Sequence, residues 1–343
     1  MPLPYGFQCS VYDGDIPPVI VSSLERIYQS PFTTMPYFEL FRHAHHPTAL
    51  VISNEAANPV HILMYTVTGR EVTLLNELVT IEQQYLTYFG EFIFSRYPCV
   101  TTVNFNCIQG RLDHVPYPQY QWKHSQDIAI SLPSSPEAYN GQLGIRTRKH
   151  LKYYINRLHK EFTNVVFSIS TTDSIEHSAI GTIIEMNRQR MKSKYIRSGY
   201  TAEFEGNIRA FCHHYGLVST LSIQGKVVAG TISYLVGDHQ YLEVISHDPA
   251  FNRFNVGQIC LYHTINHAIE TGRAAFHMLW GENEYKYRFR GVKTELFFSS
   301  VYRSNFYKLL RFPRRLAHYF SYLVNQAHYL TTKYILNLRK PAL

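Results

Sequence analysis

From Leu217 to Trp280 apolar residues come in short blocks separated by glycine-bearing turns. Two apolar runs flank Gln224-Gly225-Lys226 and a third follows Gly237-Asp238, which predicts a meander of strands joined by tight turns. Beyond Gly257 the spacing becomes helical. Ile259, Tyr262, Ile265 and Ile269 share one face over about four turns, and Gly272 fits the residue that ends such a helix. Ala274 to Trp280 then predicts another strand.

The same patterns organise the rest of the chain. Ala49–Ser53, Val60–Val67 and Val72–Leu75 read as strands, Thr80 to Tyr97 as a helix with Ile81, Tyr85, Phe89 and Phe92 inward, and Val100 to Ile108 as a strand. Prolines at 116, 118, 133 and 136 punctuate the next stretch and suggest a boundary. An amphipathic helix follows from Ile145 to Phe162, with Leu151, Ile155 and Leu158 inward and Arg146, Arg148, Lys149, Lys152, Arg157 and Lys160 outward. Val165–Ser170 predicts a strand, Asp173 an N-cap for a helix reaching Lys192, and Ala202–Tyr215 a further helix. The expected division is 1–135, 136–305 and a tail over 306–343.

Particular residues within this order resemble a known family. Gly257-Gln258-Ile259-Cys260-Leu261, Gly272-Arg273, Phe276-His277-Met278-Leu279-Trp280-Gly281 and Tyr285-Lys286-Tyr287-Arg288-Phe289 occur in sequence. The set resembles GNAT acetyltransferases associated with cellulose and other exopolysaccharide synthesis, relatives of the Fem-type peptidyltransferases. His277 departs from the usual Asp and Phe289 from the usual Trp. The resemblance is good from Ile145 to Phe298. It implies an α+β fold of two tandem GNAT-like units with mixed central sheets, the first degenerate. It also implies an acyl-CoA donor, acetyl-CoA first, and as acceptor an amine or hydroxyl of a small molecule, sugar, glycan or lipid-linked precursor.

A GNAT site needs few groups. A backbone N–H of a splayed strand polarises the thioester carbonyl, and the coenzyme A pyrophosphate sits at the next helix N-terminus, where free N–H groups favour anions. The corresponding turn here is Asn252-Arg253-Phe254-Asn255-Val256-Gly257, which keeps only the last glycine of the common pattern. By resemblance Val256, Gly257 and Gln258 contact the cofactor through their amides and Arg253 through its guanidinium. Gly257 otherwise serves only the turn.

Within Gln240–Asp248, strict alternation puts Tyr241, Glu243, Ile245 and His247 on one face. Burying a carboxylate and an imidazole in so apolar a strand is costly without partners or purpose. Glu243 is the first candidate for a general base and His247 the second; alternatively the face is solvated, or Glu243 pairs with Arg288 or Lys286. Beyond the next strand, the resemblance implies that Tyr285 protonates the leaving thiolate and that Glu282, Lys286 and Arg288 contact substrate. A polar turn with packed tyrosines is the other reading.

Composition narrows the classes. The 45% apolar content supports well-formed cores. Five cysteines without a CxxC pair suggest reduced thiols in a cytoplasmic protein, and Cys260 fits a core thiol better than a nucleophile. Neither the histidine cluster at 43, 45 and 46 nor His213-His214 has a metal-ligand arrangement, so no metal is expected. After Glu295 come eight basic residues and no acidic one, and they supply the whole net charge of +8. Basicity confined to a tail argues against general nucleic-acid binding. Two anionic partners stand as alternatives. One is tRNA, on the basic helix Arg146–Lys160 and the incomplete pyrophosphate turn, if the chain is a Fem-like aminoacyl transferase. The other is an anionic membrane surface at the tail, whose helix otherwise packs on the body of the protein with its basic residues solvated. The membrane reading rests on apolar residues Leu316, Phe320, Leu323, Ala327, Leu330 and Tyr334 at helical spacing. A catalytically inactive scaffold in a polysaccharide-synthesis complex is the non-enzyme alternative.

Overall fold

A computed structural model describes residues 6–112 and 115–311. In the first half β1 (Gln8–Asp13), α1 (Pro18–Tyr28) and α2 (Met35–Arg42) lead into a meander of β2 (Thr48–Ser53), β3 (Pro59–Thr68) and β4 (Glu71–Leu74). Then come α3 (Gln83–Arg96), β5 (Thr102–Gln109) and β6 (Gln119–Ser131). Helices α4 (Pro136–Gln142) and α5 (Ile145–Glu161) connect to the second half. There β7 (Val165–Thr171), α6 (His177–Ser193) and α7 (Ala202–Tyr215) precede β8 (Gly216–Ile223), β9 (Lys226–Val236) and β10 (His239–His247). The chain continues through α8 (Val256–Glu270), β11 (Ala275–His277), α9 (Glu284–Arg288), β12 (Val292–Tyr302) and α10 (Asn305–Leu310).

The order strand, two helices, three-stranded meander, helix and two strands occurs twice. This is the mixed α+β, two-unit GNAT-like architecture that the resemblance implied. All the strands join one 12-stranded sheet, ordered β1-β2-β3-β4-β5-β12-β6-β11-β10-β9-β8-β7. The pairs β4–β5 and β10–β11 are parallel and each is bridged by a helix; the remaining pairs are antiparallel. At the centre the units exchange strands: β12 pairs with β5 of the first half, and β6 with β11 of the second. The sheet therefore runs unbroken across residue 135.

Side chains sort onto two faces. Leu74, Val103, Phe105 and Val301 meet Phe89 and Ile93 of α3 on one. On the other, Val51, Ile62 and Met64 pack under Leu24 of α1 and Phe38 of α2. In the second half α6 and α7 supply Ile183, Ile184 and Phe211 against Ile232 and Tyr241. Leu261 and Ile265 of α8 meet Leu242 and Phe276. Leu158 of α5 and Cys260 of α8 share a cluster, and burial raises the Cys260 thiol to about 12, which fits a packing thiol.

Several local expectations change. The turn between β8 and β9 is tight because Gln224 and Gly225 both have left-handed φ, 51° and 79°. Thr80 forms a bridge to Gln109, so α3 begins at Gln83. Asp173 lies in a single turn, Thr172–Ser174, and α6 starts three residues past it, at His177, with Glu176 at its N-cap. The predicted strand Ala274–Trp280 is paired only over Ala275–His277. Strand β6 gave no sequence signal, because its polar stretch from Gln119 to Gln126 lies between partners from distant parts of the chain. The tail helix expected beyond residue 312 lies outside the described residues. No described helix is long and apolar enough to cross a membrane.

Candidate active site

Strand β10 carries the feature that organises the site. Its pairing with β9 slips between Leu242 and Val244, leaving Glu243 opposite no residue. A bulge of this kind re-aims side chains and bends the strand. Alternation breaks there. Tyr241 and Val244 share the core under α6 and α7, whereas Leu242 and Ile245 face α8. The expected single face of Tyr241, Glu243, Ile245 and His247 therefore does not form. Beyond Tyr241 the strand also parts from β11: the parallel pairs stop at Tyr241–His277 while β9 pairing runs to His247. A wedge opens with an unpaired strand edge on one side.

Glu243 lines a cavity of about 290 Å³ at this wedge. Phe32, Tyr37, Phe41, Phe204, Tyr234 and Trp280 make it aromatic, and the first three come from the first unit. Arg42 donates to Glu77 on its wall, so those charges are matched within the protein. The Glu243 carboxyl has no hydrogen-bond partner among the described residues, and burial alone raises it to about 7. Its backbone carbonyl is fixed by the Tyr200 hydroxyl at 2.9 Å. A partnerless carboxyl titrating near neutrality inside a cavity is a general-base candidate.

A second cavity lies beside the first turn of α8, with His247, Gly257, Gln258, Asn283, Tyr285 and Arg190 around it. Asn255 adopts the left-handed conformation, φ 56°, and starts α8 without a side-chain cap, so the Val256 and Gly257 amides are free for an anion. The expected Gln258 amide contact is not available, because that N–H donates to the Asn255 carbonyl at 2.9 Å. His247 Nε2 lies 2.8 Å from Asn252 Oδ1, and burial keeps the imidazole below its usual range. A Cβ on Gly257 would lie 2.9 Å from His247 Nδ1, so helix and strand approach this closely only with glycine there. Burial raises Tyr285 to about 12, which keeps its phenol protonated. Arg190 was not singled out from the sequence. Its Nε is buried with no partner among the described residues, and burial lowers its pKa.

The remaining candidates fall elsewhere. Arg253 pairs with Glu161 of α5 and stacks over Phe254 at 4.7 Å, so its guanidinium is engaged by groups of this chain. Lys286 is 2% exposed, and its Nζ donates to the carbonyls of Met278, Leu279 and Trp280. It holds the end of β11, which corrects the expectation of a substrate contact. Glu282 accepts from Tyr287 at 2.8 Å and Lys293 at 3.2 Å on the outer surface, again not in the cavity. Arg288 lines a neighbouring hollow with Arg146, His150, Gln258 and Glu284, to which it pairs at 3.8 Å.

His277 is explained by its surroundings. Its Nδ1 lies 2.6 Å from Asp127 Oδ2 on β6 and its Nε2 3.1 Å from His239 Nδ1. Its ring stacks on Tyr241 at 4.1 Å, at the point where β10 and β11 part. The carboxylate missing from β11 is thus supplied by β6. An Asp beside Ile128 and Ile130 in an apolar run was the available sequence signal.

With this geometry in view, residues 146–287 match the family model described as acetyltransferase (GNAT) domain. The chain contains a GNAT acetyltransferase domain. It is a transferase. The GNAT domain spans the basic helix, the bulged strand, the α8 N-terminus and Tyr285. Among solved structures, FemX is similar over 87% of this chain and 99% of its own, with 8% identity and a TM-score of 0.65. A conserved protein of unknown function from Bacteroides thetaiotaomicron covers 86% and 100%, with 12% identity and a TM-score of 0.57. Both likenesses show that the fold extends over both units. No curated protein matches the chain.

Proposed function

We propose that the GNAT domain transfers an acyl group from acyl-CoA to an amine or hydroxyl of a sugar, glycan or lipid-linked precursor. The observation that carries this reading is the position of Glu243: a neutral-range carboxyl without a protein partner, at the bulge where β10 leaves β11. The donor's phosphates lie against the free amides of Val256 and Gly257, with Arg190 and Arg288 nearby as cations. Its thioester reaches into the wedge, where free amides of β10 polarise the carbonyl.

In the reaction Glu243 takes the proton from the acceptor N–H or O–H as the nucleophile forms its bond to the acyl carbon. The carbon–sulfur bond then breaks, and Tyr285 donates its phenol proton to the departing thiolate. His247 serves to hold the turn before α8 through Asn252 rather than to take the proton. Because the base must be ionised, kcat/KM for thiol release from acetyl-CoA with an amine-bearing sugar is expected to rise about tenfold per pH unit below about pH 7 and then level off. A flat profile through neutrality would remove Glu243 from that role.

A second reading, transfer of an aminoacyl group from charged tRNA, rests on the exposed Arg146, Arg148, Lys149, Lys152 and Lys160 of α5. Activity that needs charged tRNA and is lost on RNase treatment would favour it. Dependence on a CoA thioester would exclude it.

A further inference from the structure

Among the described residues, part of one sheet face of the first unit has no element over it. Val72, Leu74, Val103, Phe105 and Val301 point to α3, so the alternate residues of β4, β5 and β12 point to the opposite face. There α1 and α2 cover β2 and β3, but a cavity of about 310 Å³ opens over β4, β5, β12 and β6. Thr73, Thr102, Asn104, Asn106 and Ser300 give it a surface of hydroxyls and carboxamides. Trp122 and Phe298 form an aromatic ledge with ring centroids 4.2 Å apart. Glu71 and Arg311 at the rim are paired with each other.

Two observations point to a ligand. Thr102 is 3% exposed, and its hydroxyl has no partner among the described residues, although buried hydroxyls are normally satisfied. Asn104 is held in place, donating to Glu71 at 3.1 Å and accepting from Ser300 at 2.8 Å, with amide capacity left over. The chemistry is selective. Matched charges disfavour a phosphate or nucleic acid, and the hydroxyl-rich walls disfavour an acyl chain. A flat aromatic surface beside fixed amides and hydroxyls suits a sugar ring, whose C–H face packs on the aromatic while its hydroxyls bond to the rest.

The groove also leads to the reaction site. Asn106 lies beside Glu77 on the wall of the Glu243 cavity, and the Phe298 ring lies 6.5 Å from that of His124, which lines the same cavity. We infer that this polar groove over β4, β5, β12 and β6 is a neutral-glycan subsite, which holds the body of the acceptor while its reacting amine or hydroxyl extends to Glu243. The link to Glu243 rests on the transferase reading; the binding of glycan does not.

The chain has two tryptophans, Trp122 in the groove and Trp280 in the Glu243 cavity, so each place has its own reporter. In a Trp280→Phe protein without any donor, cello- and chito-oligosaccharides of about one to four units are titrated up to about 10 mM, the range of weak single-site binding. A saturable change in Trp122 emission is expected, and Asn104→Ala should weaken it at least about tenfold. Calorimetry with Trp122→Phe, a second variant checked for folding by circular dichroism, should show the same loss. No saturable response to any of these glycans would overturn the inference, as would unchanged affinity in both variants. Because no acyl donor is present, that failure would leave the acyl-transfer reading intact, and absent acyl-CoA binding would leave the groove intact.

Discussion

Replacing Glu243 with glutamine is expected to stabilise the protein above pH 7 while lowering kcat/KM by about 10²–10⁴, the usual contribution of a general base. The stability effect follows from linkage. Burial raises the Glu243 carboxyl to about 7 in the folded chain, whereas an unfolded glutamate titrates near about 4.3. Between those values the folded state holds a proton that the unfolded state has released. Stability from this group is therefore complete at acid pH and is lost as pH rises through about 7. Above that, burial of the charge costs about 1–3 kcal/mol, reduced from the full shift because the side chain is partly open to the cavity. Glutamine removes the cost. Urea unfolding at about pH 5 and about pH 8 should show a growing advantage for the variant. Parallel pH dependences for the two proteins would show that Glu243 is not buried in the way described.

Lys286→Met should be the most damaging single change outside the cavities, lowering stability by about 3–5 kcal/mol. The side chain is buried, and all three ammonium N–H groups go to consecutive carbonyls at the end of β11. Without them those carbonyls face a largely apolar interior, and Leu279, held at φ 51°, loses the contact that supports its left-handed turn. Burial lowers Lys286 to about 8, so the ammonium persists at neutral pH. A variant that unfolds within about 1 kcal/mol of the parent would assign the turn to other contacts.

What was legible in the sequence tracks how local each signal is. The meander from Gly216 to His247 and α8 were readable because their periodicity and turns are contained in the segment itself. The helix α5 was readable for the same reason, and Leu151 and Leu158 are indeed its buried positions. Strand β6 was not, because its partners β11 and β12 come from more than a hundred residues downstream. The bulge at Glu243 escaped notice because alternation assumes an unbroken register; one slip separates Glu243 from His247, which adjoin different cavities. Tyr37, Arg42 and Glu77 were invisible as site residues because only the exchange of strands brings the first unit to the wedge. The Lys286 expectation followed a motif position that faces inward here. Motif order located the region, and packing decided which side chains reach the cavities.

The central claim is that acyl-CoA occupies the cavity at the α8 N-terminus, and calorimetric titration of the intact protein with acetyl-CoA tests it most directly. The expected result is saturable one-to-one binding, weakened at least about tenfold in Gly257→Val, because a Cβ there would lie 2.9 Å from His247 Nδ1 and crowd the free amides. No saturable heat with acetyl-CoA, or equal binding by a folded Gly257→Val protein, would contradict it.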